Sequence, residues 1–394
     1  MLQCASIYTY EIDDPQIAFE EIEAQLKEKI TLLEHSIGIV LCHPEFISSG
    51  TLQYISKRLP FELVGMTSAA QAVNDEAGEL LFTLFVMTSD DVMFKAGVTE
   101  DVSEDIDGPI KTAFGKITAK VPDLPKLAII FPPLLLQYAG DAYVHVLQQI
   151  IPGTPIFGGV ANDDTVALEG CETIYNGKNY TNTMAFILCY GNIQPRFFVG
   201  TFSEDRVMPY KGEVTKSNGP FVHEINEISA YTYFENIGLV RPDDPAFGEA
   251  NVFFVPFVIH QKKRKDYDGI PVIRARASLM KDGAAIFLGE VDEGSTFTML
   301  ISDADDILST TLQTIVQLNE LSNVNGALML SCIARRLMTM SLSPRAELEA
   351  VRNTVDPEIP FMVGYANGEI CPTSMRNGIP VNRYHNFSLI ILVI

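Results

Sequence analysis

The sequence carries one short pattern twice, PIFGGVAND at residues 155–163 and PFMVGYANG at residues 360–368. Both read Pro–apolar–apolar–x–Gly–x–Ala–Asn, and they close on Asp163 and Gly368. The same series of elements precedes each. KLAIIFPPLLLQ reads as a buried strand and YAGDAYVHVLQQII as a helix ahead of Pro155, and GALMLSCIARR and SPRAELEAVRNTV take those places ahead of Pro360. Ser343 stands where it can cap the second helix, with Pro344 at its first position. A looser third copy runs through SIGIVLCHPE, SGTLQYISKRL and PFELVGMTSA, with Pro60 and Gly65 in the matching places. Proline lacks an N–H, so it ends a helix and opens a strand. The strands are almost continuously apolar, which implies burial on both faces and parallel pairing across right-handed crossovers.

Outward from these units the pattern changes. ETIYNGKNYTNTMAFILCYG, IQPRFFVGTF and MPYKGEVTKSNGPFVHEI are strands broken by Gly and Asn turns, hence antiparallel hairpins. AYTYFENIGL reads as a helix ended by Gly238. VRPDDPAFGEA is a loop-like boundary segment, and NVFFVPFVIH, IPVIRARASLM, AAIFLGEV and TFTMLIS follow as four strands. SDADDILSTTLQTIVQLNELS is a helix with an acidic start and a face of Ile307, Leu308, Leu312, Ile315 and Leu318. The chain ends on the strand YHNFSLIILVI. The expected fold is mixed α/β in two domains, residues 1–228 and 229–394. Each combines strand–helix–strand units with antiparallel hairpins in mixed sheets.

Composition narrows the function. A net charge of −22 opposes nucleic acid and anionic membrane surfaces. The one basic run, Lys262 to Lys265, reads as a solvated hairpin loop. Six cysteines stand singly, several inside apolar runs, as buried thiols of a reducing compartment do. The N-terminus has no signal pattern and no apolar run is long enough to span a bilayer, so a cytoplasmic location is expected.

The chemistry-bearing residues cluster at strand ends, where ligands of open α/β sheets settle. Gly159 and Gly364 allow a turn or a close backbone approach, and Asn162 and Asn367 tolerate left-handed turns and bond nearby backbone. Asp163 and Glu369 add carboxylates, so the two motifs are candidates for two walls of one pocket between the halves. A plain turn-forming role stands beside that reading. No phosphate loop is present, the histidines lack metal-ligand spacing, and no cofactor or metal is expected. Cys332 precedes Arg335 and Arg336, which allows a thiol nucleophile with His385 as its base. It equally allows a buried structural thiol, or an Arg335 that grips a ligand carboxylate. Asn386 extends the polar break at the start of the last strand.

PIFGGVANDD and the Tyr–Asn–Gly that follows it resemble FIST N domains. NVFFVPFVI, VIRARASLMKDGAAIFLGEVDEGSTFTML, ALMLSCIARRLMT, PFMVGYANGEICP and YHNFSLIILVI resemble the FIST C domain. The resemblance covers the chain from about residue 35 onward. It implies a sensory, ligand-binding module of signal transduction with an amino acid or related metabolite as ligand and no established catalytic residues. Tyr365, Gly368 and Glu369 fall in its most specific stretch, Gly–Tyr–x–x–Gly–Glu–Ile–x–Pro. The chain departs at Ala366 and Asn367, which bears on ligand choice. It shows no kinase, cyclase or chemoreceptor segment, so a separate signalling partner is expected to carry the output. An enzyme using Cys332 or a carboxylate on a small metabolite is the alternative.

Overall fold

The computed structural model describes residues 2–121, 123–135, 137–165, 168–202, 204–240, 255–261, 271–280 and 282–394. Its core is three consecutive units with one order of elements. The first runs through the edge strand Leu2–Thr9, helix Pro15–Lys29, strand His35–Cys42, short helices Glu45–Ser48 and Thr51–Ser56, strand Glu62–Thr67, hairpin Gln71–Val73/Ala77–Gly78 and return strand Phe82–Ser89. The second repeats this as Val92–Val98, Asp107–Thr118, Leu127–Phe131, Gly140–Ile150, Ile156–Gly159, Thr173–Tyr175/Lys178–Tyr180 and Ala185–Gly191. The third is Arg196–Gly200, Ala304–Asn319, Ala327–Cys332, Ile333–Thr339 with Ala346–Thr354, Phe361–Ala366, Glu369–Arg376/Ile379–His385 and Leu389–Val393. The third copy of the motif, loose in sequence, thus belongs to a complete unit.

Each unit lays its edge, return and two central strands side by side, and the central pair is parallel in all three. The remaining two strands of each six-stranded sheet come from another unit. The Gln71–Gly78 hairpin joins the third unit's sheet, the Thr173–Tyr180 hairpin joins the first, and the Glu369–His385 hairpin joins the second. This cyclic exchange closes the three sheets around a pseudo-threefold axis. Their inner faces share one core, with Ile39, Met66 and Phe85 from the first, Ile129, Phe157 and Ile187 from the second, and Leu330, Met362 and Ile390 from the third. Each outer face is covered by its own unit's helices and has its own apolar cluster.

Residues 207–300 form an insertion in the third unit. It is a seven-stranded antiparallel sheet in which Val207–Asn218 also pairs with Phe221–Ile225, so the sheet closes into a barrel. Phe257, Phe287 and Phe297 fill it around Phe234 of helix Ala230–Asn236. Residue 228 lies within the barrel, in strand Ile228–Ser229. The basic run 262–265 and the boundary segment 241–250 lie outside the described residues, and the strand expected from Asn251 is described from Val255.

Three local readings change. Gly159 and Gly364 do not turn in the left-handed region. They bring sheets together: a Cβ on Gly159 would lie 2.8 Å from the Ala366 Cβ, and one on Gly364 would lie 2.7 Å from Leu41 Cδ1. The turning glycine is Gly368, at φ +116°. Ser343 does not cap a helix; its Oγ accepts from the Arg345 N–H at 3.2 Å, and the helix begins at Ala346. The helix Ala304–Asn319 has its capping box at Asp303 and Asp306, but it buries Thr310, Thr311 and Thr314 and leaves Leu312 exposed. The Thr310 and Thr311 hydroxyls face the buried guanidinium of Arg335, which needs acceptors where leucine offers none, and the Thr314 hydroxyl donates to the Thr310 carbonyl.

Gly159→Val is expected to lower unfolding free energy by about 1–3 kcal/mol through overpacking. Gly115→Ala, on a helix with open space around the new methyl, should be neutral or gain up to about 1 kcal/mol. Urea denaturation of both variants tests the contrast.

Candidate functional site

The three motif turns converge at one end of the axis. Register places Ala69, Asn162 and Asn367 in equivalent positions, three residues after Met66, Gly159 and Gly364, which pair with Thr173, Glu369 and Gln71. The Asn162 amide donates to Asn367 Oδ1 at 3.0 Å and accepts at Oδ1 from the Ala69 N–H at 3.3 Å. The Asn367 amide donates to the Ala161 carbonyl at 2.7 Å, and the Asn367 N–H to the Val160 carbonyl at 3.0 Å. Ser68 Oγ accepts from the Tyr365 N–H at 2.8 Å. Both asparagines are buried, so these bonds satisfy groups that would otherwise be stranded. The two motifs are joined by their side-chain amides.

A second group lies where the barrel rests on the core. Strand Ile379–His385 turns into strand Leu389–Val393 through Asn386, Phe387 and Ser388. Phe387 sits at φ +61°, a left-handed conformation that is strained for a bulky side chain. Its ring packs with Cys332, Ala334 and the barrel residues Val258 and Ile273. Asn386 Oδ1 accepts from the barrel's Ala275 N–H at 3.3 Å. Ser388 Oγ donates to Glu369 Oε2 at 2.7 Å, while Glu369 Oε1 is buried without a hydrogen-bond partner. Burial drives the Glu369 carboxyl well above its ordinary range, against the Ser388 bond and the charge of Arg335. Burial, and then the neighbouring Glu369, push the Cys332 thiol well up too.

Tyr384 links the two groups. Its hydroxyl donates to the Asn367 carbonyl at 2.8 Å, and it lies within the field of Glu369 and Cys332. It also lines a narrow crevice between barrel and core, together with Val160, Asn367, Gly140, Leu135 and Leu288. The crevice encloses about 20 Å³, room for one water. Beside it Arg274 of the barrel is fully buried, donating to Asp141 Oδ1 at 2.8 Å and to the Tyr384 carbonyl at 3.0 Å. Asp141 Oδ2 accepts from the Glu290 N–H at 3.0 Å. These bonds fasten the barrel to the second unit's helix Gly140–Ile150.

Other expected site residues stand apart. Arg335 holds a carboxylate, but it is that of Glu347, at 2.9 Å, within a fully buried network that includes Thr311 and Ser331. With its donors used internally, Arg335 offers no open fork to a ligand. Tyr365 is buried in the same region, its ring below Arg336, which pairs with Glu79. Asp163 accepts from the Gly170 N–H at 2.7 Å and the Thr165 hydroxyl at 2.8 Å, shaping its own loop. His385 turns Nε2 to the Cys371 carbonyl at 3.2 Å, and burial lowers its pKa to about 3, so it stays neutral. The groups acting on Cys332 are Glu369 and Arg335, and its thiol is raised rather than activated. All six cysteines are free and buried. Among the described residues no cluster of His, Cys, Asp and Glu could hold a metal, and no helix is long and apolar enough to cross a membrane.

Sequence reasoning missed Tyr384, Ser388, Asp141, Arg274 and Glu347. The signal for Arg274 was available: an arginine inside the apolar strand VIRARASL needs a buried partner. Asp141 instead looks like any acid in a helix's first turn.

The geometry defines a two-part α/β protein in which a barrel is latched to a three-unit core over a strained, polar, buried junction. Residues 36–228 match the FIST N domain and residues 232–372 the FIST C domain, and the chain belongs to the FIST family. FIST domains are a sensory, ligand-binding family of signal transduction. Comparison with curated proteins returns no match.

Two outcomes test this description. Arg335→Leu alone leaves Glu347 buried and unpaired and is expected to cost about 3–5 kcal/mol, whereas Arg335→Leu with Glu347→Leu should cost much less; a double-mutant cycle in urea reads the difference. The Glu369 carboxyl is higher in the folded than in the unfolded state, so the native protein keeps that proton as pH rises above the ordinary 4.5, and stability falls through that window. Glu369→Gln abolishes this contribution. Its stability relative to wild type should therefore climb as pH rises above the ordinary 4.5; His385, depressed and shared by both proteins, cancels.

Proposed function

We propose that the chain is the sensing component of an intracellular signalling system, binding an amino acid or a related small metabolite at the junction of barrel and core. The observation that carries this reading is the crevice that ends on Asn367 and on Tyr384, a tyrosine within the field of Glu369, whose Oε1 is buried without a hydrogen-bond partner. A ligand ammonium is the group that would pair with that oxygen and take over from the proton as its counter-charge. Backbone groups around Val160 and Asn367 would orient the rest of the ligand. The crevice has room for one water, so binding requires the barrel to lift from the core, breaking or re-forming the Arg274–Asp141 latch. That displacement is the output a separate kinase, cyclase or chemoreceptor would read. The high thiol of Cys332 favours a sensor over a cysteine enzyme.

Thermal-shift screening against the amino acids tests the proposal, since a ligand of the native state raises Tm by mass action. At least one amino acid is expected to raise Tm in wild type and not in Leu135→Trp, whose larger side chain fills the crevice. Its binding should release protons, seen as a buffer-dependent heat in calorimetry. A screen without shifts, or shifts untouched by Leu135→Trp, would overturn the assignment.

A further inference from the structure

A second, larger cavity lies at the other end of the pseudo-threefold axis and is independent of the junction site. It encloses about 680 Å³, within the range of pockets that hold small molecules. It forms where units meet. The turn after Ser89 joins the first unit to the second, the segment from Asn192 to Arg196 joins the second to the third, and Ser322 to Asn325 lead into strand Ala327–Cys332. Val92, Ile193 and Ile394 give it a buried apolar floor. Asn192, Gln194 and Asn323 place amides around the rim.

One cation faces this cavity, Arg196, held in place because its backbone pairs with Val393 in the third sheet. Arg196 is half-buried as a residue, and its side chain forms no ion pair or hydrogen bond among the described residues. That is unusual in a chain with 50 acidic residues against 28 basic ones. A partly desolvated arginine fork beside an apolar floor matches a planar carboxylate attached to an apolar body. The single cation, the nearby Asp91 and the net charge of −22 all oppose a dianion such as phosphate. We propose that this cavity is a second ligand site, for small monocarboxylates with an aliphatic or aromatic body, with Arg196 holding the carboxylate.

Calorimetric titration of the full chain with benzoate and hexanoate tests it, with benzamide, hexanamide and inorganic phosphate as comparisons. At least one of the acids is expected to bind while its amide and phosphate do not. Arg196→Gln should weaken that binding at least tenfold. Gln194→Glu, an exposed change that adds a negative charge to the rim, should also weaken it and guards against a folding defect in the arginine variant. Leu135→Trp, at the distant crevice, should leave it unchanged. The assignment is overturned if neither acid binds, if an amide or phosphate binds as well as the acid, or if neither rim variant alters affinity.

Discussion

The amide pair of Asn162 and Asn367 occupies the point where three sheets meet, and the rest of the core depends on that contact. Each asparagine follows a central parallel strand, and each reaches into a neighbouring unit for its partner. A buried amide that loses its partner costs about 1–3 kcal/mol, so the sheets are held in one relative position. The glycines before them serve the same end, because Gly159 and Gly364 leave room for the facing sheet. The hairpin exchange follows: once the turns lie together, the chain leaves each unit's own sheet beside the edge of the next and pairs there. Every sheet thereby contains strands from two units, and none can form its full hydrogen-bond ladder alone.

The barrel is attached by a different kind of interaction. Arg274 and Asp141 form an ion pair with side chains 0% and 1% exposed, and the remaining donors of the arginine go to main-chain carbonyls. Arg335 and Glu347 repeat this inside the third unit. Buried pairs of this kind contribute little net stability against an apolar replacement, but they disfavour any arrangement that separates the partners. That property suits a joint with two defined positions. The apolar contacts at the same joint, from Phe387 and Cys332 to Val258 and Ile273, are few. The strained backbone of Phe387 directly precedes Ser388, which bonds Glu369, in the manner of residues held out of their preferred conformation at functional sites.

Much of the architecture was legible in the sequence because it depends on local patterns. Continuous apolar runs marked the parallel strands, Pro60, Pro155 and Pro360 marked where the second strand of each unit opens, and the acidic stretch SDADD marked the start of a helix. The repeated Ala–Asn announced that two distant turns are equivalent. Buried partners were not legible. Arg335 had the right chemistry for a carboxylate, but nothing in the spacing pointed to Glu347, twelve residues on and across a helix turn. The arginines after Cys332 left a thiol nucleophile open as an alternative, and the spacing gave no sign that Glu369, from another strand, acts on that thiol and raises it. Leu312 fitted an apolar stripe, yet the stripe turned toward threonines because a guanidinium had to be satisfied.

The sequence by itself determined the units, their strand–helix–strand order and the family, since periodicity, proline placement and motif residues act within a few turns of chain. The tertiary structure alone decided that the units exchange hairpins around an axis, that the asparagines face each other, and that Glu369 rather than Arg335 keeps an unsatisfied polar atom. Those outcomes depend on which residues meet after folding. Desolvation and hydrogen-bond pairing are properties of that meeting, and neither is written in the spacing of residues along the chain.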